Sequence, residues 1–204
     1  MLLLGKEGTD ERNASRCYAL AMTAFICLLR GVNVGGNKML KMDALKVLCG
    51  SLGLKDAKTY LQSGNVVFRS DDADRAGLGR RIEEGIRKKT GLEVKVILRT
   101  AGELRKVIAA SPLAAAPERN PSALLVAFLA GEIAKEAKAL LLNLKAESEA
   151  LHFGSRELYI YLPDGIAGSK LSNSLTEKKL GVNVTARNWN TVNALLGMAE
   201  DLDR

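Results

Sequence analysis

Two short passages of this sequence occur twice, and that repetition limits the fold more than any single motif does. Phe25 to Gly31 (FICLLRG) is an apolar run ending in glycine, and Val126 to Gly131 (VAFLAG) has the same form. Lys88-Lys89-Thr90-Gly91-Leu92-Glu93-Val94 is matched by Lys178-Lys179-Leu180-Gly181-Val182-Asn183-Val184, with the two glycines 90 positions apart. Self-similarity at a fixed separation marks a duplicated supersecondary unit. The chain therefore reads as two related halves.

Each half carries the same order of patterns. Phe25 to Leu29 is a short apolar run broken by Gly31, as a buried strand entering a turn would be. Leu45, Leu48, Cys49 and Leu52 recur at helical spacing before Gly53. Ala57 to Gln62 and Val66 to Arg69 read as two strands joined by a turn at Ser63-Gly64-Asn65. Leu78, Ile82 and Ile86 mark a second helix ending near Gly91, and Val94 to Leu98 a fourth strand. Thr100 and Glu103 form a capping box for a helix that buries Leu104, Val107 and Ile108. After a proline-bearing connection, Ser111 to Pro121, the order returns. Leu124 to Leu129 is a strand, Ile133, Ala137, Leu140, Leu141 and Leu144 share a helical face, and Ala150 to Phe153 with Leu158 to Leu162 make a hairpin. Leu171 and Leu175 mark the next helix, and Val192, Leu195, Leu196 and Ala199 the last, with Asn190 or Thr191 as its N-cap. A βαββαβ unit of this length is the ferredoxin-like pattern. The expected fold is α/β (α+β): duplicated ferredoxin-like halves, residues 23–111 and 121–204, packed as one compact protein, with residues 1–22 an N-terminal extension outside the fold.

Composition narrows the functional classes. Three cysteines, Cys17, Cys27 and Cys49, without C-x-x-C spacing point to neither a disulfide framework nor a metal site, and fit a reducing cytoplasm. The apolar run Cys17 to Leu29 is too short to span a bilayer and leads directly into a strand pattern, so no membrane association is expected. A net charge of +7 suits phosphate-rich partners, whereas the low aromatic content of 4% gives no stacking platform for single-stranded nucleic acid. His152, the sole histidine, sits in a strand pattern and reads as structural rather than as a catalytic base.

Three polar segments stand out against this frame. Arg30-Gly31-Val32-Asn33-Val34-Gly35-Gly36-Asn37-Lys38 is a strand-to-helix turn in which glycines permit close backbone approach to an anion, although it matches no nucleotide-loop spacing. Thr59 to Phe68 (TYLQSGNVVF) carries Ser63 and Asn65 at a hairpin turn. Thr185 to Thr191 (TARNWNT) holds Arg187, Asn188, the only tryptophan Trp189, and Asn190. Each also reads as a turn or cap that satisfies only its own backbone. Together with LLRGVNVGG at Leu28 to Gly36, these segments resemble the family known as domain of unknown function 1697, from about Thr23 to the C-terminus. The resemblance implies duplicated ferredoxin-like halves and a start near Met22; it supplies no activity, cofactor or catalytic residue.

The functional expectation is a phosphate-bearing small molecule or nucleic acid bound in a polar cleft between the halves. Its residues would be Arg30, Asn33, Gly35, Gly36, Ser63, Asn65, Arg187, Asn188, Trp189 and Asn190, with Lys170, which begins a helix pattern after Gly168, as a further point charge. No metal or cofactor is called for. Two alternatives stand beside it: a transferase or hydrolase in the same cleft, with Asp43, Asp164 or Glu177 as base, and a protein-interaction or structural role. Oligomeric state is left open.

Overall fold

The computed structural model describes residues 22–34, 38–113 and 120–204. Gly35 and Gly36, residues 1–21 of the N-terminal extension and part of the proline-bearing connection lie outside the described residues. In the first half β1 (Thr23–Leu29), α1 (Met42–Ser51), β2 (Lys55–Tyr60), β3 (Asn65–Ser70), α2 (Arg75–Thr90) and β4 (Val96–Thr100) form an antiparallel sheet of order β2-β3-β1-β4, followed by α3 (Ala101–Ala109). The second half repeats it: β5 (Leu124–Leu129), α4 (Lys135–Leu144), β6 (Ala150–Phe153), β7 (Glu157–Tyr161), α5 (Glu177–Leu180) and β8 (Val184–Asn188) give the order β6-β7-β5-β8, followed by α6 (Trp189–Asp203). The duplicated ferredoxin-like architecture is thus the fold of this protein, with one extra helix after each unit.

That extra helix binds the halves together. Strand side chains alternate between faces, and in β1 Phe25, Cys27 and Leu29 point to an outer core under α1 and α2 while Ala24, Ile26 and Leu28 point inward. In β5, Leu125, Ala127 and Leu129 face the outer core of the second half, and Leu124, Val126 and Phe128 face inward. The inward faces of both sheets share one central core with Leu104 and Val107 of α3 and Val192, Leu195, Ala199 and Leu202 of α6. Both central strands are therefore covered on both sides, which explains why their sequences are continuous apolar runs rather than alternating ones. The Tyr159 hydroxyl donates to Val107 O at 2.8 Å, and Ala24 N to Asp203 Oδ1 at 3.1 Å, tying each extra helix to the other half's sheet.

Several local expectations shift. The fourth strand starts at Val96 rather than Val94, and β2 spans Lys55–Tyr60 rather than Ala57 to Gln62. Asn65 belongs to β3 and is fully buried instead of standing at the tip of a turn. The N-cap of α6 is Asn188, whose side chain accepts from Thr191 N at 2.8 Å, so neither Asn190 nor Thr191 fills that position. Leu140 is exposed on α4, and His152 is exposed on the edge strand β6. Leu171 and Leu175 do not make a long helix: a 3-10 turn at Ser172–Ser174 and the four-residue α5 occupy that stretch. The repeated K-K-x-G passage nevertheless does the same work twice, since Gly91 and Gly181 both end their helices in the left-handed conformation, each at φ 72°.

Candidate functional site

The site begins where β1 ends. Leu29 N donates to Gly64 O at 2.8 Å, which brings the hairpin turn of β2 and β3 against the start of the Arg30 turn. Gly64 is at φ +74°, and a Cβ there would lie 2.3 Å from Val32 Cγ2 and 2.8 Å from Leu29 Cβ. The contact can be this close only because residue 64 has no side chain. Asn65 amide donates to Tyr60 O at 2.8 Å and to Ser63 Oγ at 3.0 Å, closing the turn from within. Asn33, itself at φ 55°, donates to Gln62 O at 2.6 Å and Leu40 O at 2.9 Å and accepts from Leu40 N at 2.8 Å. Its amide thereby joins the Arg30 turn to the hairpin.

Arg187 reaches this corner from β8 of the other half. Its Nε donates to Asn65 Oδ1, its Nη1 to Thr185 Oγ1 at 2.7 Å and Ala186 O at 2.8 Å, and its Nη2 to Leu29 O at 2.7 Å, Ser63 O at 3.1 Å and Gly64 O at 3.3 Å. The side chain is buried and every acceptor is neutral. Burial pushes its pKa down to about 10, so it remains a cation at neutral pH. These six bonds consume the donors of the guanidinium, so Arg187 acts as a clasp between the halves and presents no donor to solvent.

Arg30 turns the other way. Its backbone N donates to Lys95 O at 2.9 Å, while its Nη1 crosses between the halves to Glu177 Oε2 at 2.7 Å and Asn183 Oδ1 at 3.1 Å. It stands in a cleft of about 700 Å³ lined by Lys38, Arg80, Arg87 and Lys95, with Glu83, Glu84, Glu93 and Glu177 interleaved. Lys38 Nζ donates to Glu93 O; Lys95 pairs with Glu83 at 2.9 Å and Arg87 with Glu84 at 2.8 Å. The hydrogen bond that Lys95 donates to Glu83 raises the Lys95 pKa, and that from Arg87 lowers the Glu84 pKa. Arg80 is mostly exposed, its nearest carboxylate being Asp74 at 3.6 Å.

The expected site residues therefore divide. Ser63, Asn65, Arg187 and Asn33 meet at one corner, with Arg30 extending from it into the cleft. Asn188 is committed to capping α6, and Trp189 packs against the central core. Asn190 is exposed beyond them and approaches Ser122 Oγ at 3.5 Å. Lys170 does not join the group; it lines a separate cavity of about 590 Å³ with Asp164 and Glu149.

The pattern missed in the sequence is Arg99. In β4, Arg99 precedes the cap Thr100 as Arg187 in β8 precedes the cap Asn188, and it pairs with Ile26 as Arg187 pairs with Val126. Its Nη2 donates to Leu129 O at 2.8 Å and Arg156 O at 3.2 Å, while Leu129 N donates to Arg156 O at 2.9 Å. Each half thus sends an arginine from its last strand to the end of the other half's first strand, about a pseudo-two-fold axis. Aligning the halves on their helix caps exposes this relation. Aligning them on the K-K-x-G glycines conceals it, because the segment from Gly91 to Val96 is longer than that from Gly181 to Val184.

No helix among the described residues is long and apolar enough to cross a membrane. A family described as "Protein of unknown function (DUF1697)" matches residues 22–159. Among solved structures, a conserved bacterial protein from Streptococcus pneumoniae aligns with a TM-score of 0.71 at 23% identity, covering 88% of this chain and 99% of that one. At that identity the likeness is one of fold. No curated protein matches.

Proposed function

The chain belongs to the DUF1697 family of proteins of unknown function, and from that premise we propose that it binds a small phosphate-bearing molecule in the Arg30 cleft between its halves. The observation that carries this reading is the Arg30 side chain, which spans the halves and bonds Glu177 and Asn183 through Nη1 alone among the described residues. Its Nε and Nη2 are then free to grip an anion in the fork geometry that suits phosphate. Lys38, Arg80, Arg87 and Lys95 add positive charge around it. Asn33, Ser63, Asn65 and Arg187 hold the corner from which Arg30 projects, while Asn188, Trp189 and Asn190 follow Arg187 in the chain at the start of α6. The interleaved carboxylates favour a ligand that also offers hydroxyl donors, such as a sugar phosphate or nucleoside phosphate. They disfavour a nucleic-acid backbone, whose successive charges would meet Glu84 and Glu93.

A thermal-shift series across sugar phosphates, nucleoside phosphates and short duplexes tests this. A ligand at a hundred times its dissociation constant adds about 2.7 kcal/mol of apparent stability, and Arg30→Ala should remove that gain. The unliganded variant should lose less than about 1 kcal/mol, because the Arg30–Glu177 pair is solvent-exposed. A shift produced only by duplexes and abolished by salt would replace the small-molecule reading with a nucleic-acid one.

A further inference from the structure

The pseudo-two-fold axis places a second corner opposite the Arg30 corner, and two of its arginines, Arg99 and Arg156, have no carboxylate bonded to their side chains among the described residues. Ala130 takes the place of Arg30: Ala130 N donates to Asn183 O at 2.9 Å, as Arg30 N donates to Lys95 O. Beside Ala130 lies a cavity of about 330 Å³ walled by Arg75, Arg80, Arg99 and Arg156. Arg99 is only 3% exposed, and its hydrogen bonds are to the carbonyls of Leu98, Leu129 and Arg156, with the Phe128 ring 5.7 Å from its guanidinium carbon. No carboxylate bonds it. Arg156 Nε is buried without a hydrogen-bond partner, and Arg156 pairs with no carboxylate among the described residues.

The nearby carboxylates are already engaged. Glu103 holds Arg75 at 2.7 Å and caps α3 through Thr100 N at 2.9 Å. Glu83 takes Lys95 and Val96 N, and Glu157 accepts from Arg156 N at 3.2 Å. Two adjacent guanidinium groups in a partly desolvated cavity repel each other strongly unless an anion lies between them. Burial, and next to it the charge of Arg156, pull the Arg99 pKa down to about 10, so it still carries its charge at neutral pH.

We propose a second anion site at this corner, in which Arg75, Arg99 and Arg156 receive a tetrahedral phosphate dianion, either inorganic or carried as a phosphomonoester. The site is independent of the Arg30 cleft, with which it shares only the wall formed by Arg80 and Glu83. Arg99 Nε and the Arg75 and Arg156 guanidinium groups supply donors to the phosphate oxygens, and the anion adds a directly bonded counter-charge to the unbonded ones that Glu103 and Glu157 give Arg99.

Titration calorimetry and melting of the full chain with inorganic phosphate and with glycerol phosphate, against chloride at matched ionic strength, test the proposal. Saturable binding is expected, with a higher melting temperature than in chloride. Arg156→Gln should weaken phosphate binding about tenfold or more, the loss of a charge-assisted bond, while Lys170→Ala, in a separate cavity of the second half, leaves it unchanged. A second variant, Ala130→Glu, places a resident carboxylate beside the cavity; it should raise the melting temperature in chloride and abolish the response to phosphate. Binding of glycerol phosphate but not of inorganic phosphate would still fit, as a monoester site. No phosphate response in the parent protein, or a response that survives Arg156→Gln, overturns the proposal; a response lost only in Arg30→Ala would move the anion to the cleft.

Discussion

The two corners of the molecule are built from the same parts, yet Arg187 and Arg99 do different work in them. Arg187 finds a shaped set of acceptors, because Asn65 sits in β3 where Glu157 sits in β7, and Gly64 sits where Arg156 sits. Its charge is spread over six hydrogen bonds and the corner is closed. Arg99 has carbonyls and one aromatic face, its Nε has no partner among the described residues, and the cavity beside it stays open. One duplicated element has become a sealed joint in one half and an unfilled electropositive pocket in the other. Duplication preserved the geometry of the arginine while the residues facing it diverged.

The sharpest way to break this contrast is to remove each arginine in turn. Arg187→Met should destabilise the protein by about 3–5 kcal/mol, since it leaves the carbonyls of Leu29, Ser63 and Gly64 and the Asn65 amide oxygen without their donor. Arg187→Lys should recover little of this, because a point charge cannot serve donors in three directions. Arg99→Met should cost only about 1–3 kcal/mol, the lost carbonyl bonds being offset by relief of repulsion with Arg156 and Arg75. Urea unfolding of the three variants measures the difference. Equal losses for Arg187→Met and Arg99→Met would mean that the two corners are energetically alike.

The next contrast is at the turn. Gly64→Ala should cost about 2–4 kcal/mol, because a methyl group there would overlap Val32 and Leu29 and the backbone lies in the left-handed region. Arg156→Ala at the equivalent place should cost less than about 1 kcal/mol, since no carboxylate loses a partner. Thermal melts of this pair in chloride show whether tight approach is needed at both corners or only at the Arg187 corner.

How much of this could be read from the sequence follows from the range of the forces involved. The strands, the capping box at Thr100 and the glycine-ended helices were legible because they depend on local periodicity and on single residue types. The stretch from Leu171 to Leu175 misled, since two leucines at helical spacing also fit a buried 3-10 turn, and nothing local distinguishes them. Asn65 looked like turn chemistry, although its amide is spent beneath the turn rather than at its tip. The TARNWNT passage drew attention for its polarity, and the structure explains that polarity as one clasp, one cap and one core-edge tryptophan. Arg99 drew none, because R-T-A-G-E looks like any capped helix. Its significance appears only when a strand 30 residues away supplies the acceptor.

A third contrast concerns the central core, where the halves also differ at one equivalent position. Tyr159 of β7 lies opposite Val126, as Val67 of β3 lies opposite Ile26. The second half thus places a phenol where the first half has a plain aliphatic group. The hydroxyl donates to Val107 O, a carbonyl near the end of α3, where helical carbonyls lack partners within the helix. Tyr159→Phe should therefore cost about 1–2 kcal/mol, the penalty for leaving that carbonyl unpaired. Burial, and secondarily Glu157, raise the Tyr159 pKa above the ordinary tyrosine range, so the fold favours the neutral phenol. The contribution is complete below a pH of about 10, where the unfolded phenol is also neutral, and is lost as pH rises through the higher folded value. Urea melts between neutral and strongly alkaline pH should show stability falling in the parent protein and a shallower fall in Tyr159→Phe. Parallel alkaline limbs would mean that the phenol ionises as freely folded as unfolded, and that the bond to Val107 does not tie α3 to the second sheet.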